Sequence, residues 1–97
     1  MKKFDYCRLE LVTEEKDKKN KLHYWVVFLF TNEGLVETMK SESWIEREGG
    51  AYYETDRNNY KSTRTQRAIM MSKLGSDGWE WIEGTGWFDT FKRSKDE

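Results

Sequence analysis

The sequence predicts a single α+β domain, a mainly antiparallel sheet with one main helix, residues 63–74, packed on one face. Three observations support this class. Apolar and aromatic residues alternate with polar ones in several short segments, as they do in half-buried strands. One segment combines helical spacing with a helix start signal. The 97 residues match the size of one domain with one modest core, so residues 1–97 are expected to form one unit.

The first third of the chain predicts two paired strands. Residues 4–12 alternate between two sides, with Cys7 on the apolar side as a small core residue. Residues 22–30 are apolar on both faces, as in a central strand. Residues 13–21 contain no hydrophobic side chain, which predicts a flexible charged loop. Because one helix covers only one face of the central strand, the other face is expected to meet either a long loop or a second copy of the chain, and we favour the second copy.

Residues 35–60 carry mixed signals. The apolar spacing of residues 35–39 would also suit a helix, whereas Trp44-Ile45 and Tyr52-Tyr53 flank Gly49-Gly50 like the two arms of a hairpin. We predict strands here, with Tyr52-Tyr53 in the second arm. Residues 56–60 are polar and predict a loop.

The main helix has a start signal and a stop signal. Thr63-Arg64-Thr65-Gln66 has the form of a capping box, so the helix is predicted to begin there. Met70, Met71 and Leu74 lie on one side of it at helical spacing. Gly75 is expected to end the helix in the left-handed conformation, which glycine adopts at little steric cost.

The last part of the chain predicts a hairpin that completes the sheet. Residues 79–83 and 87–93 alternate as two strands, and residues 84–86 form the turn between them. Residues 94–97 are charged and predict a frayed tail.

Two segments of this region carry a resemblance to a known family. They are Leu74-Gly75-Ser76-Asp77-Gly78-Trp79-Glu80 and Phe91-Lys92-Arg93. In these segments the chain resembles a family of small bacterial and phage domains of unknown function, from which it departs at Trp81, where the family has a small aliphatic residue. The resemblance covers about the last third of the chain and implies a fold but no function. In size, charge and aromatic content the chain is also similar, more loosely, to phage proteins that act as sponges for cyclic nucleotides.

Composition and charge narrow the classes of function. Seventeen basic and eighteen acidic side chains leave a net charge of -1, which argues against binding of bulk nucleic acid. One cysteine and one histidine provide no zinc ligand set and no internal disulfide, so no metal or cofactor is expected.

Neither a membrane span nor a secretion signal is predicted. No apolar run approaches the roughly 20 residues that cross a bilayer, and residues 1–6 turn polar at once. The expected location is therefore the cytoplasm, or the host cytoplasm if a phage encodes the chain.

Arg67 falls in the middle of the apolar side of the predicted helix, with Arg64 at its edge. One interpretation is that the apolar side begins one turn later and Arg67 extends into solvent. The other is that the first turn of the helix faces a pocket, where backbone N–H groups and two guanidinium groups bind an anion such as a phosphate.

Residues just before this helix add rings and amides that suit a nucleotide. Tyrosines can stack on bases, arginine can bind phosphates and asparagine can pair with base edges. Paired tyrosines also occur in small cores and subunit interfaces. The candidate ligand-binding residues are Arg57, Arg64, Arg67, Tyr52, Tyr53, Tyr60 and Asn59.

Catalysis is not predicted. His23 is the only histidine, lies in an apolar strand and has no visible partner to make it a general base. The carboxylates are spread over charge-rich surface segments and form no legible acid/base pair. The chain is therefore expected not to be an enzyme.

The favoured function is sequestration of a small phosphate-bearing ligand by a homo-oligomer, specifically a phage-type sponge for a cyclic nucleotide immune signal. On this hypothesis, replacing Arg67 by alanine removes ligand binding and leaves the fold intact. The main alternative is a protein–protein interaction module, such as a phage inhibitor of a host protein. A hydrolase of the same nucleotide is a third possibility, and it requires His23 or a carboxylate beside the arginines.

Overall fold

The computed structural model of the protein describes residues 3–15, 20–47, 52–85 and 88–95, with the backbone alone at 20, 46–47 and 52–62. It confirms the α+β class, because strands form most of the structure and one helix packs on the sheet. The elements are β1 (Lys3–Glu15), β2 (Asn20–Thr31), β3 (Gly34–Lys40), β4 (Trp44–Arg47), α1 (Tyr52–Ser76), β5 (Glu80–Gly84) and β6 (Phe88–Lys95). In this part of the chain no helix has both the length and the hydropathy needed to span a bilayer.

The strands form one antiparallel sheet in the order β3-β2-β1-β6-β5, and β4 pairs with the first half of β2. The centre of the sheet is β1, in which Cys7 pairs with Leu29 on one side and with Phe91 on the other. β1 and β2 pair with each other over most of their length, and the shorter strands extend the sheet from this pair.

The core lies between the sheet and α1. Because side chains alternate along a strand, the odd-numbered residues of β1, β2 and β6 share one side, and they meet apolar residues of the helix. The indole Nε1 of Trp25 also donates a 2.9 Å hydrogen bond to the carbonyl oxygen of Thr63 in α1. The buried cluster comprises Cys7, Leu9, Trp25, Val27, Met70, Leu74 and Phe91.

Helix α1 begins at Tyr52, eleven positions before the predicted start at Thr63. The predictions of a strand arm at Tyr52-Tyr53 and a loop at 56–60 are therefore wrong, whereas the predicted strands before residue 48 are confirmed as β3 and β4. No glycine or proline lies between Tyr52 and Leu74. A helix anchored by its contacts with the core can therefore propagate toward the amino terminus without a breaker.

The helix ends with a different glycine from the one predicted. Gly75 lies inside α1, and Gly78 takes the left-handed conformation with φ 86°. The amide of Trp79 donates to the Leu74 carbonyl at 3.0 Å, and the amide of Gly78 donates to the Gly75 carbonyl at 3.0 Å. This is the Schellman pattern, which requires the left-handed residue three positions after Gly75.

Two predicted flexible segments are partly strand. Of residues 13–21, the first three extend β1 and the last two begin β2, and residues 16–19 lie outside the described residues. The Tyr24 hydroxyl donates a 2.7 Å hydrogen bond to the Glu14 carboxylate and so extends the cross-strand contacts into this region. Of the tail 94–97, the first two residues belong to β6, and residues 96–97 lie outside the description.

Candidate functional site

Asp89 of β6 is a buried carboxylate that holds the helix to the sheet. It is 2% exposed and shares the core side of β6 with Phe91. Nε of Arg67 donates to Oδ2 of Asp89 at 3.1 Å, and Nη2 donates to Oδ1 at 3.0 Å. Nε1 of Trp81 donates to the same Oδ1 at 3.0 Å. Both oxygens of the carboxylate therefore have charged or polar donors, as a buried charge requires. We call Arg67, Trp81 and Asp89 the Asp89 cluster.

The helix start changes the interpretation of Arg67. Because α1 begins at Tyr52, the backbone N–H groups of residues 63–66 lie within the helix and do not form its first turn. The helix start that was expected to supply N–H groups to an anion therefore does not lie near Thr63. Arg67 does not simply extend into solvent either, since its guanidinium group binds Asp89 in bidentate fashion while 37% of the side chain remains exposed. Its loss would leave a buried charge unpaired, so the expectation that Arg67→Ala leaves the fold intact is revised.

Four candidate positions form one line along α1. At about 100° per residue, positions 53, 57, 60 and 64 fall within a narrow arc, and Arg67 continues that arc to the Asp89 cluster. Tyrosine and arginine alternate along it. The structure describes the side chain of Arg64, which is exposed, and only the backbone of the other three. We call Tyr53, Arg57, Tyr60 and Arg64 the Tyr/Arg stripe.

The other two candidates fall elsewhere on the helix. Positions 52 and 59 share the arc of Thr63 and Met70. That arc faces the core, because Met70 is fully buried and the Thr63 carbonyl accepts the Trp25 hydrogen bond. Helical spacing therefore separates Tyr52 and Asn59 from the Tyr/Arg stripe.

The side of the sheet opposite α1 carries a second group of rings and charges. The Arg8 guanidinium carbon lies 4.5 Å from the centre of the Phe88 ring and 5.4 Å from that of Phe30. Lys92 Nζ lies 4.9 Å from the centre of the Phe4 ring. These are cation–π distances. We call this side the open face, and its residues include Phe4, Tyr6, Arg8, Glu10, Tyr24, Phe28, Phe30, Phe88 and Lys92.

Two of the positive charges on this side of the sheet form ion pairs within it. Arg8 forms a 3.3 Å ion pair with Glu10, and Lys40 of the neighbouring β3 forms a 3.5 Å ion pair with Glu37. Tyr6 is nevertheless 42% exposed and Leu35 51% exposed. Exposed rings among paired charges are typical of protein interfaces, which are enriched in aromatic residues and arginine.

The described residues hold no catalytic arrangement that we can assign. His23 Nδ1 lies 2.9 Å from the Thr13 hydroxyl, and the imidazole ring stacks on Trp44 with 5.7 Å between ring centres. Among the described residues, no three of the histidine, cysteine, aspartate and glutamate side chains are grouped to hold a metal ion.

Cys7 is the core residue that its strand position predicts. It is fully buried, and burial raises the pKa of its thiol to about 11, an effect that the nearby positive charge of Arg93 only partly offsets. We expect iodoacetamide to leave the native protein unmodified at pH 8 and to alkylate the urea-unfolded chain, because the thiolate is the reactive form. Labelling in the native state at the rate of a free thiol would contradict this burial.

Because of the same pKa shift, the free energy of unfolding depends on pH in the alkaline range. The folded thiol keeps its proton at pH values where the unfolded thiol, with its ordinary value of 9.0, has lost it. Stability is therefore expected to fall as pH rises from 9 toward 11. The Cys7→Ala variant is the control, since its urea midpoint should lack this part of the decrease.

The Asp89 cluster was not predicted, although the sequence contains a signal for it. Asp89 has the same strand parity as Phe91, and an acidic residue at an inward position needs a cationic or hydrogen-bonding partner. Pattern alone could not name that partner, because Arg67 lies 22 positions away in the chain.

Comparisons with protein-family models, with curated proteins and with solved structures find no match for this chain. The resemblance carried by residues 74–80 and 91–93 therefore remains a prediction from those residues alone. We therefore infer the function from the fold and from the contacts of individual side chains.

Proposed function

We propose that this protein is a non-catalytic binding protein that sequesters a phosphate-bearing nucleotide along the Tyr/Arg stripe of α1. The observation that carries the proposal is the continuity of α1 from Tyr52 to Ser76, which places two tyrosines and two arginines on one side of a single helix. Guanidinium groups bind phosphate oxygens in bidentate fashion, and phenol rings stack on bases. A helix keeps both kinds of group at constant spacing.

The spacing favours a ligand with more than one phosphate and more than one base. Arg57 and Arg64 are seven positions apart, so their Cα atoms are separated by about 10 Å along the axis. Tyr60 lies between them and Tyr53 beyond them. In a cyclic dinucleotide, phosphates and nucleosides alternate around one ring, which matches alternating cations and rings. The specific form of the proposal is therefore a phage-type sponge for a cyclic nucleotide immune signal.

Arg67 has a positioning role in this proposal. Its guanidinium group is bound to Asp89, so it anchors the carboxyl-terminal end of the stripe to β6 and leaves phosphate binding to Arg57 and Arg64. This assignment differs from that made on sequence alone, where Arg67 was the leading phosphate ligand.

Replacing Arg64 by glutamine tests the proposal directly. Arg64 is exposed on α1, and glutamine keeps helix propensity while removing the charge. We expect affinity for the nucleotide to fall about tenfold or more, the value of one charge-assisted hydrogen bond. The measurement is calorimetric titration, after a thermal-shift screen of cyclic dinucleotides, cyclic trinucleotides and cyclic ADP-ribose isomers.

Lys21→Gln is the matched control, since it removes one exposed positive charge from β2 and should leave affinity unchanged. Chromatography after incubation with the protein should show the nucleotide unchanged, whereas its conversion to a product would indicate a hydrolase. Equal affinities of wild type and Arg64→Gln, or flat curves for wild type across the whole panel, would count against nucleotide sequestration.

The open face supports a second candidate, a protein–protein interaction module. Its exposed Tyr6, its half-buried rings and its locally paired charges have the composition of a protein interface and carry no excess of positive charge for phosphates. A second copy of the chain bound there would form the homo-oligomer of the sponge proposal. Light scattering that gives a monomer, together with flat nucleotide curves, would favour a module for a host protein.

A further inference from the structure

A cleft opens beside the carboxyl-terminal end of α1, on the core side of the sheet. Helix α1 packs mainly against β2 and β4 and ends at Ser76, so it leaves the β3 end of the core partly uncovered. Val36, which pairs with Leu29 and is 47% exposed, lies in this uncovered part. The cleft has a volume of about 260 Å³ and is lined by Val27, Leu29, Thr38, Met39, Leu74, Asp77, Trp79 and Arg93.

Most of the wall of the cleft is apolar and continuous with the core. Val27 and Leu74 belong to the buried cluster, and Leu29 and Met39 pack against that cluster. An apolar surface of this kind favours the hydrocarbon part of a ligand, because burying it removes apolar area from water.

Two charged residues line this cleft, Arg93 and Asp77. The Arg93 guanidinium carbon lies 4.4 Å from the centre of the Trp79 ring, and Nη1 donates a 3.3 Å hydrogen bond to the Asp77 carbonyl oxygen. Among the described residues Arg93 forms no ion pair. Its planar group is thus held in place by a ring and one backbone oxygen, with donors left for a carboxylate.

We infer that this cleft binds a small free carboxylic acid with an apolar body, of the class of medium-chain alkanoates. The carboxylate meets Arg93, and the chain lies against Leu29, Met39 and Leu74. Since an apolar cavity of about 150 Å³ can bind benzene, a volume of about 260 Å³ has room for on the order of ten non-hydrogen atoms, the size of octanoate. This site lies on the core side and the last turn of α1, apart from the Tyr/Arg stripe, and does not depend on the nucleotide proposal.

Titration of the full chain with octanoate, followed by calorimetry and by methyl NMR of Leu29 and Met39, tests the inference. We expect saturable binding that shifts these methyl signals, with 1-octanol bound at least tenfold more weakly because it cannot pair with Arg93. Arg93→Gln should weaken octanoate about tenfold and change octanol little.

Thr38→Trp supplies a second test that does not disturb the Arg93 contacts. Thr38 is exposed at the cleft, so an indole there should occupy the space and remove binding of both compounds. Lys21→Gln is the charge control, at the far end of β2 from Leu29. The inference is overturned if octanoate does not bind, if Thr38→Trp leaves its affinity unchanged, or if only peptides with an apolar carboxy-terminal residue bind.

Discussion

Replacing Arg67 by alanine is expected to lower the free energy of unfolding by about 3 kcal/mol, the lower end of the range for removing one partner of a buried ion pair. Among the described residues, the indole of Trp81 would be the remaining side-chain donor to Asp89, which is 2% exposed. The lower end applies because Arg67 is itself 37% exposed, so water can reach part of the vacated space. Urea unfolding followed by tryptophan fluorescence measures the change.

Two further variants separate the charge effect from the loss of a helical side chain. Arg64→Ala removes an exposed arginine one turn earlier and should cost less than about 1 kcal/mol, because interactions of exposed charges are weak. The double variant Arg67→Ala/Asp89→Asn should be more stable than Arg67→Ala alone, because no unpaired charge is buried. If Arg67→Ala unfolds at the midpoint of Arg64→Ala, the ion pair does not hold the helix to the sheet.

Replacing Gly84 by alanine is expected to cost about 3 kcal/mol, at the upper end for overpacking a filled site. Gly84 pairs with Asp89 across β5 and β6, and a Cβ at this position would overlap the Asp89 carboxylate. The carboxylate could move only by giving up its hydrogen bonds to Arg67 and Trp81. Urea unfolding again provides the measurement.

Gly75→Ala is the matched control, with the opposite sign. Gly75 lies in α1 with negative φ, and nothing stands within 4 Å of an added Cβ. Alanine there should raise stability by about 0.5 to 1 kcal/mol, because it restricts the unfolded chain and favours the helix. Equal effects of the two substitutions would mean that the Asp89 carboxylate does not limit the space at Gly84.

Strand positions were predictable wherever a local alternation marked them. The pattern around Cys7 placed it correctly on the core side of β1, and the doubly apolar run of β2 predicted a central strand with ring-bearing residues on both faces. These predictions succeeded because successive side chains of a strand point to opposite faces, so the buried positions follow from the alternation in the sequence.

Helix limits were less predictable. The capping-box pattern at Thr63 is compatible with a helix start, yet it also tolerates the interior of a helix, and nothing in residues 52–62 forbids continuation. Gly75 and Gly78 were both available as stop residues. The hydrogen bond from the Trp79 amide to the Leu74 carbonyl selects Gly78, and that bond depends on where Trp79 packs.

The candidate site was also predictable only in part. Arg67 was singled out correctly as unusual, because a charge at the centre of an apolar arc must be compensated. Its compensation by Asp89 could not be inferred from the helix alone. In the proposal, the phosphate-binding arginines are therefore Arg64, about one turn before Arg67, and Arg57, about three turns before it.

The sequence by itself determined the α+β class, the strand faces and the presence of one main helix, because periodicity and side-chain chemistry act over a few neighbouring residues. The tertiary structure alone decided which side chains meet. It joined Arg67 to Asp89, set Arg8 between two rings on the open face and left the cleft beside Arg93. Each of these contacts joins residues far apart in the chain, and such pairs are chosen by the packing of the whole sheet and helix, which no local pattern records.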